Sequence, residues 1–272
     1  MNWLDALIMG VVQGLAEYLP ISSSGHLEIC RSILGLDLDP DKALTFSLML
    51  HVATVLSTLV VLWREFWPLC TSFFTLKRDA NTTYVWKILL SCIPVGIVGV
   101  MFKDTVEQFF GTGLTVVGIC LIITALLLAF AYYTGLRQGN AESQSGRDIS
   151  WIDALVIGIA QAVAVLPGLS RSGTTIATGI ILGNKRAEVA KFSFFMVILP
   201  ILGEGLLDVK DMLTEPAAVT ATVGFVPLAV GFIAAFAVGC MACKWMIDIV
   251  KRGKLVWFAV YCLAAGLLCL LW

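Results

Sequence analysis

Stretches without charge recur along the chain at lengths that match a bilayer: 43–62, 114–134, 216–243 and 255–272. A helix rises about 1.5 Å per residue, so a hydrocarbon core of about 30 Å takes roughly 20 residues to cross. Two further stretches qualify with a charge near an end. Residues 88–102 extend back to Thr82 across Lys87, and 189–207 holds Lys191 and Glu204. The pattern predicts an all-α polytopic membrane protein with six transmembrane helices.

Two other apolar segments are interrupted, and they are copies of each other. Residues 3–16 read WLDALIMGVVQGLA and 151–164 read WIDALVIGIAQAVA, identical at seven of fourteen positions at an offset of 148. The echo continues into LPISSSGH at 19–26 against LPGLSRSGTT at 166–175, then into Phe46-Ser47 against Phe192-Ser193. The chain is read as a single membrane domain of two repeats, 1–135 and 151–272, joined by a linker over 136–150. Proline removes a helical hydrogen bond and clashes with the preceding turn, so helices must break at Pro20 and Pro167. Irregular backbone cannot face lipid, so each break must line a cavity enclosed by protein. Residues 3–34 and 151–184 are therefore expected to be re-entrant helix-break-helix hairpins. Three crossings after each hairpin give the halves opposite orientation, an inverted-topology repeat whose polar tips meet near the midplane.

Composition agrees with this frame. Of 272 residues, 59% are apolar and 14% charged, against roughly 25% charged in a soluble domain. The net charge of −1 gives no clustered basic surface for a nucleic acid. The first twenty residues lack a basic n-region and carry Asp5, so cleavage of a signal peptide is not expected. Eight cysteines lie mostly in apolar segments; the Cys240-x-x-Cys243 spacing reads as small packing residues rather than a redox or zinc pair. Loops 64–87, 135–150, 184–191 and 244–254 hold thirteen of the eighteen Lys and Arg. By the positive-inside rule those loops are cytoplasmic, and both termini and the base of the first hairpin face outward.

The breaks carry the chemistry. The first presents Gln13-x-x-x-Glu17, four apart on one helical face, then Pro20 and Ser22-Ser23-Ser24-Gly25-His26. The second presents Pro167, then Ser170-Arg171-Ser172-Gly173-Thr174-Thr175 at the start of a helix. An arginine at membrane depth costs about 2.5–3.5 kcal/mol unless it is paired or faces a polar cavity. A phosphate is a natural partner, because guanidinium meets its oxygens with two prongs and the free N–H groups of a following helix favour an anion at the same place. Glu17 has no acidic counterpart in the second half, where Val165 lies, and Arg171 has no cationic one in the first. Only together do the breaks supply an acid, hydroxyls and a cation. His51, inside a span, reads more readily as a core histidine than as part of the site.

These residues resemble a known family: Gln13-x-x-x-Glu17, P-x-S-S-S-G-H at 20–26 and P-G-x-S-R-S-G-x-T at 167–175 are similar to the bacitracin-resistance family of undecaprenyl-diphosphate phosphatases, over the whole chain. The resemblance implies hydrolysis of undecaprenyl diphosphate to undecaprenyl phosphate and phosphate, recycling the carrier for peptidoglycan synthesis in the bacterial cytoplasmic membrane, with a divalent cation, Mg²⁺ or Ca²⁺. It makes Glu17, Ser23 and Arg171 catalytic candidates beside His26, and Ser22, Ser24, Gly25, Ser170, Ser172, Gly173, Thr174 and Thr175 substrate-binding candidates. The family's acidic helix motif accepts Glu or Gln first; here Gln13 stands beside Glu17 as the weaker metal ligand, and as a contact to substrate. Ser23 would attack the terminal phosphorus with Glu17 or His26 taking its proton, or water would attack directly. The partners implied are the polyprenyl diphosphate and membrane lipids, with a homodimer open. The rival reading of the same scaffold is a transporter or lipid flippase.

Overall fold

A computed structural model describes every residue except 37–39, 103–112, 138–145, 204 and 207–222. Glu204, Lys103, Lys210, the start of the 216–243 span and part of the 136–150 linker lie outside the described residues. Most of the described chain is helical, with one isolated bridge between Arg147 and Asn184. In chain order the helices named here are α1 (Trp3–Ala16), α2 (Ser23–Ile33), α3 (Pro40–Val61), α4 (Trp63–Phe74), α5 (Ala80–Met101), α6 (Leu114–Arg137), α7 (Trp151–Val163), α8 (Arg171–Ile181), α9 (Arg186–Met196), α10 (Phe225–Lys251) and α11 (Val256–Leu271).

The order α1, α2, α3 returns as α7, α8, α9, and the repeats start alike. Asn2 with Asp5, and Ser150 with Asp153, form capping boxes at equivalent positions, each satisfying orphan N–H groups of a first turn. With 14 residues α1 is about 21 Å long, too short to cross a bilayer. Both hairpins therefore turn inside the fold. At the mouth of the second, the Asp153 carboxylate takes a two-pronged ion pair from Arg147 and a bond from Asn184 (3.0 Å). Outside the helices Lys185 pairs with Asp148 at 2.7 Å, and this bond raises the amine's pKa and lowers the carboxyl's.

Among the described residues three helices are long and apolar enough to cross a membrane: α5, α6 and α10. The other expected spans depart from the sequence pattern. The 43–62 span is α3, but the chain breaks at Leu62 and α4 turns away by 89°. Residues 64–87 thus hold a helix where only a loop was expected; Trp63, Trp67, Arg64 and Glu65 give it the aromatic and charged groups suited to a membrane interface. The 189–207 span is interrupted at Val197 and resumes as helix over 198–203. The C-terminal span is α11, 16 residues long. Exposed Ile93, Ile119, Leu126, Phe130, Ile233 and Leu267 form an apolar surface on these helices that suits lipid and not water.

The halves interlock instead of standing side by side. Helix α1 packs on α10 of the other half, α7 packs on α5, and α6 pairs with α11. Where α6 meets α11, Gly118 and Gly266, themselves 148 residues apart, face each other. A Cβ on Gly118 would lie 2.8 Å from the Gly266 carbonyl oxygen, and one on Gly266 2.7 Å from that of Gly118. Such small residues let backbones approach where no hydrophobic effect drives helices together. This crossed packing carries the two hairpin tips into contact.

Candidate active site

Each tip is a helix end, a turn and a capped helix start. Ser170 Oγ accepts from Gly173 N (3.0 Å) and Ser22 Oγ from Gly25 N (3.3 Å), the N-cap role that favours serine there. Both loops need a left-handed residue and place it differently. Ser22 itself has φ 73°, whereas in the second loop Ser170 has φ −73° and Gly168, with φ 90°, makes the turn. The loops touch directly: Ser172 Oγ donates to the Leu19 carbonyl (3.2 Å), and a Cβ on Gly25 would come within 3.0 Å of Gly168 Cα. Ser170 N is tied to Thr124 Oγ1 on α6 (3.2 Å).

Glu17 is the centre of the cluster, its side chain 6% exposed. Gln13 Nε2 and Ser23 Oγ both donate to its Oε2, at 2.9 and 2.8 Å, and Arg171 Nη2 donates to Oε1 at 3.3 Å. His51 on α3 donates Nδ1 to the Ser47 carbonyl (2.8 Å) and brings Nε2 within 3.7 Å of Glu17 Oε2. One carboxylate thus holds a serine hydroxyl and a guanidinium at the same time. Such an arrangement can take a proton from the hydroxyl and, once an anion displaces the arginine from Glu17, hold negative charge beside it.

His26 is oriented away from this cluster. Its Nδ1 meets the Ser22 carbonyl (2.8 Å) and its Nε2 the Tyr261 hydroxyl (2.7 Å), with the two rings stacked. Ser24 Oγ lies 3.4 Å from Ser22 Oγ. In the second loop Thr175 Oγ1 donates to the Arg171 carbonyl (2.8 Å) and meets Ser193 Oγ, while buried Thr174 Oγ1 has no partner among the described residues. A small cleft open to solvent is lined by Glu17, Arg171, Ser172, Thr175, Thr54 and Gln161 among others.

Sequence reasoning did not place His51 at the site, nor the cluster in which Tyr18 Oη meets the Thr54 carbonyl, Ser57 and Thr58. The available signal was the spacing: 47, 51, 54 and 58 share one face of α3. Cys240 and Cys243 are free, with Cys243 buried.

Divalent hard cations take oxygen ligands, and Mg²⁺ in particular is held by one or two carboxylates together with substrate phosphates. Gln13 Oε1 is buried without a partner among the described residues, beside the Glu17 carboxylate, so these two side chains fit such an ion. Among the described residues no three His, Cys, Asp or Glu side chains converge, and its other ligands would be phosphate oxygens and water.

The family model described as bacitracin resistance protein BacA matches residues 6–268. An undecaprenyl-diphosphatase of Parabacteroides distasonis is 57% identical over 267 residues, covering 98% of this chain and 97% of that protein. That of Bacteroides fragilis is 53% identical over 266 residues, covering 98% and 96%. The undecaprenyl-diphosphatase 1 of Bacillus cereus is 37% identical over 274 residues, covering 98% and 97%.

Proposed function

This chain belongs to the bacitracin-resistance BacA family, and from that membership we propose that it hydrolyses undecaprenyl diphosphate to undecaprenyl phosphate and phosphate, recycling the carrier lipid for cell-wall synthesis and giving resistance to bacitracin. The observation that carries the residue roles is the shared carboxylate, with Ser23 Oγ 2.8 Å and Arg171 Nη2 3.3 Å from Glu17.

The diphosphate displaces Glu17 from Arg171, whose planar fork, with the loop N–H groups at the start of α8, holds the phosphate oxygens while the polyprenyl tail stays in lipid. Ser23 Oγ attacks the terminal phosphorus and Glu17 accepts its proton. The bond from phosphorus to the bridging oxygen breaks, and undecaprenyl phosphate departs with that oxygen. Water then attacks the phosphoserine, releasing phosphate and returning Ser23. His26, fixed by Ser22 and Tyr261, orients the loop that carries Ser23. Phosphoryl transfer rests mainly on positioning and charge neutralisation. A divalent cation held by Glu17 and Gln13 would supply further positive charge to the diphosphate.

The protein is a multi-pass membrane protein. Its place is the bacterial cytoplasmic membrane, with basic loops inside and the first hairpin opening outward; thirteen of eighteen Lys and Arg support this orientation. The test is phosphate release from long polyprenyl diphosphates by detergent-purified protein, with and without chelator. Turnover abolished by the chelator and restored by Mg²⁺ or Ca²⁺ is the expected result. Undiminished metal-free turnover would remove the ion from the scheme, and no phosphate release at all would favour lipid transport.

A further inference from the structure

The repeat leaves one side chain without the partner its twin has. Gln13 and Gln161 are equivalent at the offset of 148. Gln13 Nε2 donates to the Glu17 carboxylate four residues on. In the second hairpin the corresponding place is held by Val165, and Gln161, only 1% exposed, has its Nε2 buried with no hydrogen-bond partner among the described residues. A buried donor without an acceptor is costly, and such groups persist in native folds where something else satisfies them.

Gln161 lines the same cavity as Glu17, Arg171, Ser172 and Thr175. At the repeat's offset Ser23 falls opposite Arg171, so the arrangement carboxylate, amide and hydroxyl of the first hairpin becomes guanidinium, amide and no carboxylate in the second. The missing member is an anionic acceptor. We infer that Gln161 is a substrate-binding residue: its amide donates to an oxygen of the phosphate being cleaved, which sits in this cavity beside Arg171 where the first hairpin carries its own carboxylate. Resting on the hydrolase reading, this assigns the terminal phosphate, and the inorganic phosphate formed from it, to the second repeat.

The test uses full-length purified protein and the variants Gln161→Leu, which keeps size and removes the donor, and Gln161→Glu, which puts a carboxyl in its place. With undecaprenyl diphosphate as substrate, Gln161→Leu should raise KM about tenfold, the loss of one charge-assisted hydrogen bond. It should weaken inhibition by inorganic phosphate by a similar factor and leave the melting temperature unchanged or higher, because an unpartnered donor is gone. Gln161→Glu should weaken both more than Leu does. Wild-type KM and phosphate inhibition in Gln161→Leu would overturn the assignment. So would a raised KM with unaltered phosphate inhibition, or a lowered melting temperature with kcat lost and KM kept, the mark of a merely structural residue. Failure of the hydrolase reading looks different: the wild type would release no phosphate, yet 10 to 100 times its Kd of inorganic phosphate alone should still raise its melting temperature, and that of Gln161→Leu far less. Absence of that shift in the wild type would overturn the subsite itself.

Discussion

In the first hairpin Gln13 donates to a carboxylate one turn away and the loop beyond carries Ser23; in the second Gln161 Nε2 has no hydrogen-bond partner among the described residues and the loop beyond carries Arg171. The backbone plan is common to both, down to the capping boxes at Asn2 and Ser150 and the serine caps at Ser22 and Ser170. The reacting groups are not. The repeat gives two polar tips that meet in the fold, and they differ at a few positions. In the proposed scheme one tip holds the group that attacks and the group that takes the proton, and the other holds the charge that receives the phosphate. The halves meet at this site: Glu17 holds Ser23 of its own hairpin and reaches Arg171 of the other only where the halves interlock.

The first way to break this division is to disable the attacking tip. Glu17→Gln keeps size and hydrogen bonding and removes the base, so kcat should fall by about a thousandfold, with substrate still bound by the second tip. Ser23→Ala should do the same. Single-turnover phosphate release checks both. If Ser23→Ala keeps more than a few per cent of the wild-type rate while Glu17→Gln is dead, water is the nucleophile, and failure to trap labelled phosphate on Ser23 would agree.

Disabling the receiving tip should cost less. Arg171→Lys keeps the charge but replaces a planar fork with a point donor, and kcat/KM should fall about a hundredfold. Near-normal turnover would reduce Arg171 to a counter-ion for Glu17. The two kinds of variant should also separate in binding: phosphate inhibition survives in Ser23→Ala and weakens in Arg171→Lys.

The difference in side chains between the tips was legible in the sequence, because a repeat makes departures from symmetry visible: Glu17 against Val165, Ser23 against Arg171. The breaks were legible too, since Pro20 and Pro167 cannot continue a helix. What could not be read were features that depend on tertiary packing, within a repeat or across the two. His51 sits in an uncharged span and only the fold of α3 onto α1 brings it near Glu17. His26 carries the same motif as the catalytic candidates, yet its partner Tyr261 lies 235 residues away. The 89° turn at Leu62 was hidden because hydropathy does not fall before the aromatic and charged cluster that starts α4.

The loops also differ in how they turn, and two substitutions sharpen that difference. Gly168 has φ 90°, and a Cβ there would lie 2.8 Å from both Val117 Cα and its carbonyl oxygen. Gly168→Ala therefore meets left-handed strain and rigid backbone together, and should cost about 3 kcal/mol. Detergent melts would report it, and an unchanged melting temperature would mean the loop can retreat from α6.

Ser22 is the smaller and more informative case. It holds φ 73° although it carries a side chain, a conformation that costs an L-residue about 1 kcal/mol or more. Glycine would adopt it freely, but would give up the cap to Gly25 N (3.3 Å) and the contact with Ser24 Oγ (3.4 Å). Replacing a serine cap by glycine costs only a few tenths of a kcal/mol, so relief and loss nearly cancel or favour glycine slightly. Ser22→Gly should keep the unfolding free energy within about 1 kcal/mol of wild type. The rate is the sharper readout, because Ser22 is the residue before Ser23 and its side chain and strained backbone fix the angle at which Ser23 Oγ meets Glu17. A freer loop samples other angles, and kcat should fall about threefold to tenfold with KM nearly constant. The equivalent cap in the second loop, Ser170→Gly, sets the direction of a binding group instead, so it should raise KM more than it lowers kcat. The same KM and kcat pattern in both variants would show that the two loops are held as one body and that the division of labour between them does not extend to their turns.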